Sequence, residues 1–466
     1  MRRADDHWLP PEDQDSRAVI AAFVALSAAT VPVGERPAFS GAEGHGAMAQ
    51  GGRGGRIIPV TTLADAGPGS LRACIEARGP RVCVFRVAGV IRFTTRRPLI
   101  RNPQLTIAGE SAPGGGIIVT NGGGRDGQTP IAIKGTHDIV IRHIRVRADR
   151  LSESRSGNAA FTIEDSRNVI LDHVSGSWAQ DQNFSAQGFN TRITISNSIF
   201  AEGIPRHDKC ALMASDPVKA QRFSLIRSLC AHNGDRNPDA NFPPGSCVEV
   251  TNNIFYNAQS QFAEIWEGAG GTPVSLSGNI FRRGPNSTGT AVAIERMMIA
   301  SRGPAAIHAA GNMVDGNMLL MNEAAAEVRK AAAPCRAASR IRPAERAWVE
   351  VLSVAGALPR DAVDRRVVAE TIARKGRIRP APGPMPVIAP AAPDPDADAD
   401  GMDDRWEARH GADPKRPDPW ADSDRNGWAN LEDFLQSRHR ERVRSAEAAQ
   451  SADALRAALK GQRPQD

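Results

Sequence analysis

The chain has 466 residues, enough for two or three domains, with 41% apolar and 24% charged residues, a balance ordinary for a soluble globular protein. A net charge of +6 and a pI near 9.2 favour acidic partners. There is no zinc-finger spacing, Walker loop or basic helix, which argues against nucleic acid, and beyond the first thirty residues nothing is long and apolar enough to cross a bilayer, which argues against a membrane.

Residues 18–29 (A-V-I-A-A-F-V-A-L-S-A-A) form an apolar run after Arg17, too short for a span and right for a secretory signal. Residues 1–30 are therefore read as a leader and the protein as secreted, extracellular or periplasmic. A leader without export meaning is the other reading. From residue 57 short β-branched runs alternate with glycine turns, and G-P-G-S-L-R-A-C-I-E-A reads as a helix capped by Ser70. Cys74 and Cys83 flank a turn-like stretch that suits a local disulfide; Cys210 and Cys230 are either bridged or two buried thiols; Cys247 and Cys335 have no evident partners.

A repeat then emerges. I-V-I-R-H-I, V-I-L-D-H-V, I-T-I-S-N-S-I-F, F-S-L-I-R-S-L-C, V-E-V-T-N-N-I-F and V-S-L-S-G-N-I-F superimpose, placing His143, His173, Asn197, Arg227, Asn252 and Gly278 at equivalent positions. Each segment alternates as a half-buried strand does. An antiparallel sandwich would turn over more often, so the pattern predicts an all-β, right-handed single-stranded parallel β-helix over 38–321. Asn197 and Asn252 are expected to stack along its axis as structural residues.

Helical spacing follows over 322–379, an extension expected to wrap the β-helix, and then a Pro-rich linker over 380–395. Two acidic stretches beyond it fit the 12-residue calcium loop. The first offers Asp396, Asp398, Asp400, Asp404 and Glu407 around Gly401; the second offers Asp422, Asp424, Asn426, Asn430 and Asp433 around Gly427. The module spans 396–438, and a polar tail fills 439–466.

Chemistry is expected between His207 and Pro238. Lys209 and Arg236 bracket one short strand, and in a β-helix with coils of roughly 20–30 residues they would lie one above the other. Two stacked cations on an elongated groove suit an acidic polymer.

The motifs F-S-G-A-E-G-H-G, G-G-R-G-G, G-P-G-S-L-R, L-T-I-A-G-E-S-A-P-G-G-G-I, N-V-I-L-D-H-V-S-G-S-W-A-Q-D, A-H-N-G-D-R-N-P and V-T-N-N-I-F-Y-N occur in this order over roughly 38–378. In them the chain resembles the bacterial pectate lyases of polysaccharide lyase family 1. The resemblance implies calcium-assisted β-elimination of α-1,4-linked galacturonan (pectate, polygalacturonate). It makes Arg236, in R-x-P, the base, and has Lys209 hold a substrate carboxylate; both would bind substrate. It places calcium at Asn158, Asp181 and Gln182, where relatives commonly carry acids at the first and third positions, with Asp149 and Glu202 as nearby acids that would compensate. Asp172 and His173 are expected to hold their strand. Where the family often has a further arginine after the proline, this chain has Asp239 and Asn241. The expected cofactor is Ca2+ and the expected state a monomer. Three classes stay open: a secreted lyase, a lyase-like polysaccharide-binding protein with weakened catalysis, and a β-helical hydrolase. The last needs Asp pairs on consecutive coils, and none is evident between residues 139 and 281.

Overall fold

The computed structural model describes residues 36–123, 129–151, 153, 157–205, 207–460 and 462–465; the leader and its apolar run lie outside them. Three parallel sheets wind into a β-helix. In a representative coil, His137–Arg142 lies in the first sheet, Ile144–Arg147 in the third and Phe161–Glu164 in the second, after which the chain re-enters the first at Arg167–Asp172. Alternation places each side chain: Ile139, Ile141, Val169 and Leu171 point into the apolar interior, whereas Val140 and Ile170 face outward and pack under Ala38, Phe39 and Ala49.

The recurring position found in the repeat is the corner between the first and third sheets. His143, His173, Asn197, Arg227, Asn252 and Gly278 all have left-handed backbone there, with φ of 53°, 51°, 49°, 49°, 58° and 64°. A one-residue corner keeps the coils in phase. The next residue supports it along the axis: Ser198 N–H donates to Ser228 Oγ, Ser228 N–H to Asn253 Oδ1, Asn253 N–H to Asn279 Oδ1, and Asn279 N–H to Asn312 Oδ1. The stack expected of Asn197 and Asn252 therefore runs one residue later. Asn197 instead donates to Asp172, and Asn252 to backbone carbonyls of Gly278 and Arg342. The connection from third sheet to second has no such constraint and varies in length. That side of the molecule carries the candidate site.

The C-terminal segments cover the outer faces. Ala344–Val354 and Ala362–Ala373 are helices whose Trp348, Val351, Leu352 and Val367 pack on Ile199, Leu229, Ile254 and Ile280 of the third sheet. Arg147, fully buried on that sheet, pairs with Asp361 at 3.0 Å and Asp364 at 2.6 Å, so one cation serves two carboxylates inside the contact. The acidic module docks on the first sheet: Met402, Leu431, Phe434 and Leu435 bury against Val82, Val84 and Ala108, and Trp420 Nε1 donates to Gly55 O at 2.8 Å. Part of the stretch expected as a polar tail forms helices and a strand. A helix over Asn430–Ala448 continues the module, Ala452–Ala458 is a second helix, and Gln462–Gln465 pairs antiparallel with Asn312–Asp315 at the end of the third sheet. Among the described residues, no helix is long and apolar enough to cross a membrane.

All six cysteines are paired. Cys74–Cys83 forms as expected, with 5.9 Å between Cα atoms; Cys210–Cys230 is a bridge rather than two thiols; and Cys247, for which the sequence suggested no partner, joins Cys335 of the C-terminal extension. This last link ties the first sheet to the chain that wraps it.

Two measurements check these contacts. Replacing Cys247 and Cys335 together by alanine opens a loop of sequence separation 88, which should cost roughly 4–5 kcal/mol in denaturant unfolding on the loop-entropy scale. Met402→Ala should lower stability by about 2–4 kcal/mol, because a fully buried side chain between module and sheet is lost; a free-standing module would leave the unfolding of the β-helix unchanged.

Candidate functional site

The long connections from third to second sheet, and the second-sheet strands they enter, gather the polar residues of interest. Gln182 opens the strand Gln182–Gln187, and Lys209 opens Lys209–Ser215 directly opposite it in register. One coil further, Lys209 faces Asp235, not Arg236. The sequence count was off by one, because the chain from Lys209 to Asp235 makes the full coil. Lys209 Nζ forms an ion pair with Asp235 Oδ2. Arg236 lies diagonally beside it: its carbonyl accepts from Ala211 N–H at 3.0 Å, and its backbone is left-handed at φ 53°. The side chains of Lys209 and Arg236 are 15% and 24% exposed, so both reach the surface, on adjacent coils.

The acids around them form a pattern that the sequence did not reveal. Asp239, Glu264 and Glu295 are in register on three consecutive coils of the second sheet. Their inward-pointing neighbours Ala240, Ile265 and Ile294 sit in the core, so the three carboxyl groups point outward, about 4.8 Å apart per coil. The column is not the Asp pair expected of a hydrolase: it is one Asp followed by two Glu, the last beyond residue 281. Asp239 Oδ2 lies 3.3 Å from Arg236 Nε, and Glu264 accepts from Arg236 N–H at 3.0 Å and from Trp266 Nε1 at 3.1 Å. Burial raises the pKa of Asp239 well above the usual carboxylate range, against the opposing pull of Arg236 and with the support of Glu264 and Asp235. Burial, then Asp235, raises Glu264 in the same sense, and burial raises Asp208. Summing the coil lengths through the aligned strand starts would have found this column; reading for Asp pairs alone would not.

The expected cation ligands are less well assembled. Asn158 is buried and spends its side chain on neighbours, accepting from Asn121 at 3.1 Å and donating to Gln180 at 2.8 Å. Asp181 accepts from Gly157 N–H at 3.0 Å and lies 3.0 Å from His207 Nδ1. Gln182 Oε1 is buried with no partner among the described residues. The two acids expected to compensate are committed elsewhere. Asp149 is clamped by Arg92 at 2.7 and 2.8 Å and by Thr120, and Glu202 by Trp178 Nε1 at 3.0 Å and Arg366 at 2.8 Å. One carboxylate with two neutral amides does not fit a resident calcium ion, whose affinity follows ligand charge. Asp172 and His173 hold their strand as expected: Asp172 pairs with His173 at 2.8 Å and Arg142 at 3.3 Å and accepts from Ser196 at 2.7 Å.

The first C-terminal loop fits a cation better. Asp396, Asp398 and Asp400 converge, and Asp400, Glu407 and Asp418 form a second convergence, with one oxygen of each within 4.8 Å of the others. Both carboxylate oxygens of Glu407 are buried without a partner among the described residues. Burial, then the neighbouring Asp400 and Asp398, pushes its pKa up to about 8. Two assignments change. Asp404 turns away to accept from Ala397 N–H at 2.8 Å, and Asp418, eleven residues past Glu407, takes its place. The second loop is closed by its own amides: Asn426 Nδ2 donates to Asp424 at 2.9 Å and Asp433 at 2.7 Å, Asp422 accepts from Asn426 and Gly427 N–H, and Asn430 serves Asp418 and Ser423.

No family model matches the chain. Over 255 residues, 54% of this chain and 56% of the relative, it is 39% identical to "Probable pectate lyase C" of Aspergillus flavus. Over 259 residues, 54% of this chain and 55% of the relative, it is 39% identical to "Probable pectate lyase C" of Emericella nidulans. A tomato (Solanum lycopersicum) protein, "Probable pectate lyase P56", is 30% identical over 213 residues, 41% of this chain and 50% of its own length. The chain thus spans a little over half the length of the fungal relatives it matches, and these relatives are fungal and plant proteins, whereas the motifs had suggested bacterial ones. A solved structure titled "Structure of the thermostable pectate lyase PL 47" superimposes with a TM-score of 0.51 at 14% identity, covering 69% of this chain and 98% of its own, a likeness of fold.

Proposed function

We propose that this protein is a secreted polysaccharide lyase that cleaves α-1,4-linked galacturonan by β-elimination. The observation that carries the reading is that Lys209 and Arg236 lie on adjacent coils of a β-helix with both side chains partly exposed, in a chain 39% identical over about half its length to proteins named as probable pectate lyases. In this reading Arg236, in its free-base form, takes the proton from C5 of a uronate. The electrons of that C–H bond form the C4–C5 double bond, and the C4–O pair leaves with the glycosidic oxygen, which is protonated from solvent. An arginine is a poor base in water, so the step depends on neighbouring positive charge. Lys209 supplies that charge and receives a substrate carboxylate, for which it exchanges Asp235. Export is supported by the six paired cysteines, since disulfides persist in oxidising compartments, and by the apolar run at 18–29.

No step is routed through calcium in the groove, because Asn158, Asp181 and Gln182 do not make a resident site. Calcium is assigned to the C-terminal module, at Asp400, Glu407 and Asp418 with Asp396 and Asp398. There it would neutralise carboxylates that are buried together and so stiffen the module on the first sheet. The stacked acids Asp239 and Glu264 favour one rival, a hydrolase with paired carboxyl groups. Against it, both are buried, 3% exposed each, and are occupied by Arg236 and Trp266.

Polygalacturonate incubated with the wild type at alkaline pH should give product absorbing in the near ultraviolet, the mark of the new double bond. Arg236→Lys should reduce turnover on the order of 100-fold or more, with unfolding midpoints unchanged. Full product formation by Arg236→Ala would place the base elsewhere, and reducing ends without absorbance would select the hydrolase. Separately, calcium should raise the thermal midpoint of the full chain, by mass action on the folded state. Glu407→Gln should abolish that rise, whereas Asp404→Asn should retain most of it.

A further inference from the structure

Arg236 is gripped by two carboxyl groups from consecutive coils. Glu264 Oε1 accepts its backbone N–H at 3.0 Å, and Asp239 Oδ2 lies 3.3 Å from its Nε. Asp239 and Glu264 are themselves in register, on the outward side of the second sheet. The second oxygen of Asp239, Oδ1, is buried and has no partner among the described residues, so the guanidinium is the polar group that this side chain serves. Asp239 is three residues from Arg236, and the intervening Asn237 and Pro238 are fixed: Asn237 N–H donates to Phe262 O at 2.8 Å and its side chain to Gln261 O at 3.2 Å.

We propose that Asp239 is a positioning residue for Arg236, which aims the guanidinium at the groove and sets the pH above which it can take a proton from substrate. The inference rests on the lyase reading and deepens it. A planar guanidinium held at Nε by a carboxylate keeps its two terminal nitrogens free and pointed away from the contact. The carboxylate also places a negative charge beside the guanidinium, and taking that charge away favours the neutral form. The charged groups that act on Asp239 are Arg236, Glu264, Asp235 and Lys209. Glu264 and Asp235 oppose its ionisation, while Arg236 and Lys209 favour it. The four therefore divide one problem: the base must be held rigidly, yet not so strongly that it never releases its proton. Burial and the stacked Glu264 weaken the hold of Asp239, and Lys209 adds the positive charge that opposes it. Asp239 does not reach substrate and transfers no proton.

The test uses the full chain and polygalacturonate, with kcat/KM followed by near-ultraviolet product from neutral to strongly alkaline pH. Asp239→Asn keeps the shape and an oxygen for Nε but removes the charge. Its rising alkaline limb should move to lower pH by about one unit, whatever the height of the plateau. Asp239→Ala, for use if the amide variant does not fold, should move the limb the same way and also lower kcat, since the guanidinium is no longer aimed. A limb at the wild-type position with activity reduced equally at every pH would mean that Asp239 only supports the fold, and would overturn the inference while leaving the lyase reading intact. No unsaturated product from the wild type would overturn both.

Discussion

Parallel stacking in register is the constraint on which the rest of this molecule depends. Each residue on a strand has one neighbour directly above and one below, at the spacing of the backbone ladder. The interior tolerates this easily, because Ile, Val and Phe stacked on their own kind bury apolar surface without polar conflict. On the outside the same rule places like charges together unless an opposite charge intervenes. Both outcomes occur here on one face. Lys209 meets Asp235 and is compensated, while Asp239, Glu264 and Glu295 stack as acids. The groove's electrostatics are thus a by-product of coil length: one residue more or less in a connection changes which charges face each other.

The C-terminal third is docked in part through buried charged groups that face opposite charges. Arg147 with Asp361 and Asp364, and Arg142 with Glu110 and Asp172, are ion pairs closed off from water. Removing one member of such a group leaves a bare charge in the interior, which costs far more than the intact pair contributes. They therefore specify where the helices dock more than they stabilise the docked state. Stability comes from apolar contact, Trp348 and Val351 on the third sheet and Met402 and Phe434 on the first. Long-range hydrogen bonds such as Arg442 to the carbonyls of Ala112 and Leu358 then fix the register of the last long helix.

What was legible in the sequence follows from the same division. The β-helix was visible because its signals are local: alternation in each strand, and a left-handed corner recurring at His143, His173 and Asn197. Cys74 and Cys83 were legible for the same reason. The partner of Cys247 was not, since nothing near residue 335 records that the extension returns to the first sheet. Within the site, Lys209 and Arg236 were found from their setting, but the one-residue offset that gives Lys209 to Asp235 depends on a connection's exact path. The calcium loops show the limit most clearly. Spacing named Asp404 and Glu407 alike, yet a backbone N–H at Ala397 claims the first, while the second has no partner among the described residues. Asp418 had no motif position at all and arrives by the fold of the intervening turn.

These compensations bear on how the groove would receive an acidic polymer. With Lys209 paired to Asp235 and Arg236 to Asp239, neither cation is idle in the free protein. A uronate carboxylate must displace an existing partner, so its net attraction is a difference between two ion pairs and is smaller than either. The displaced acid does not leave; it stays in the groove, where its charge is costly unless it takes up a proton or a cation. Substrate binding by this face should therefore be linked to proton or cation uptake, and that linkage lies in the residues of the second sheet whether or not a resident metal is ever held at Asp181.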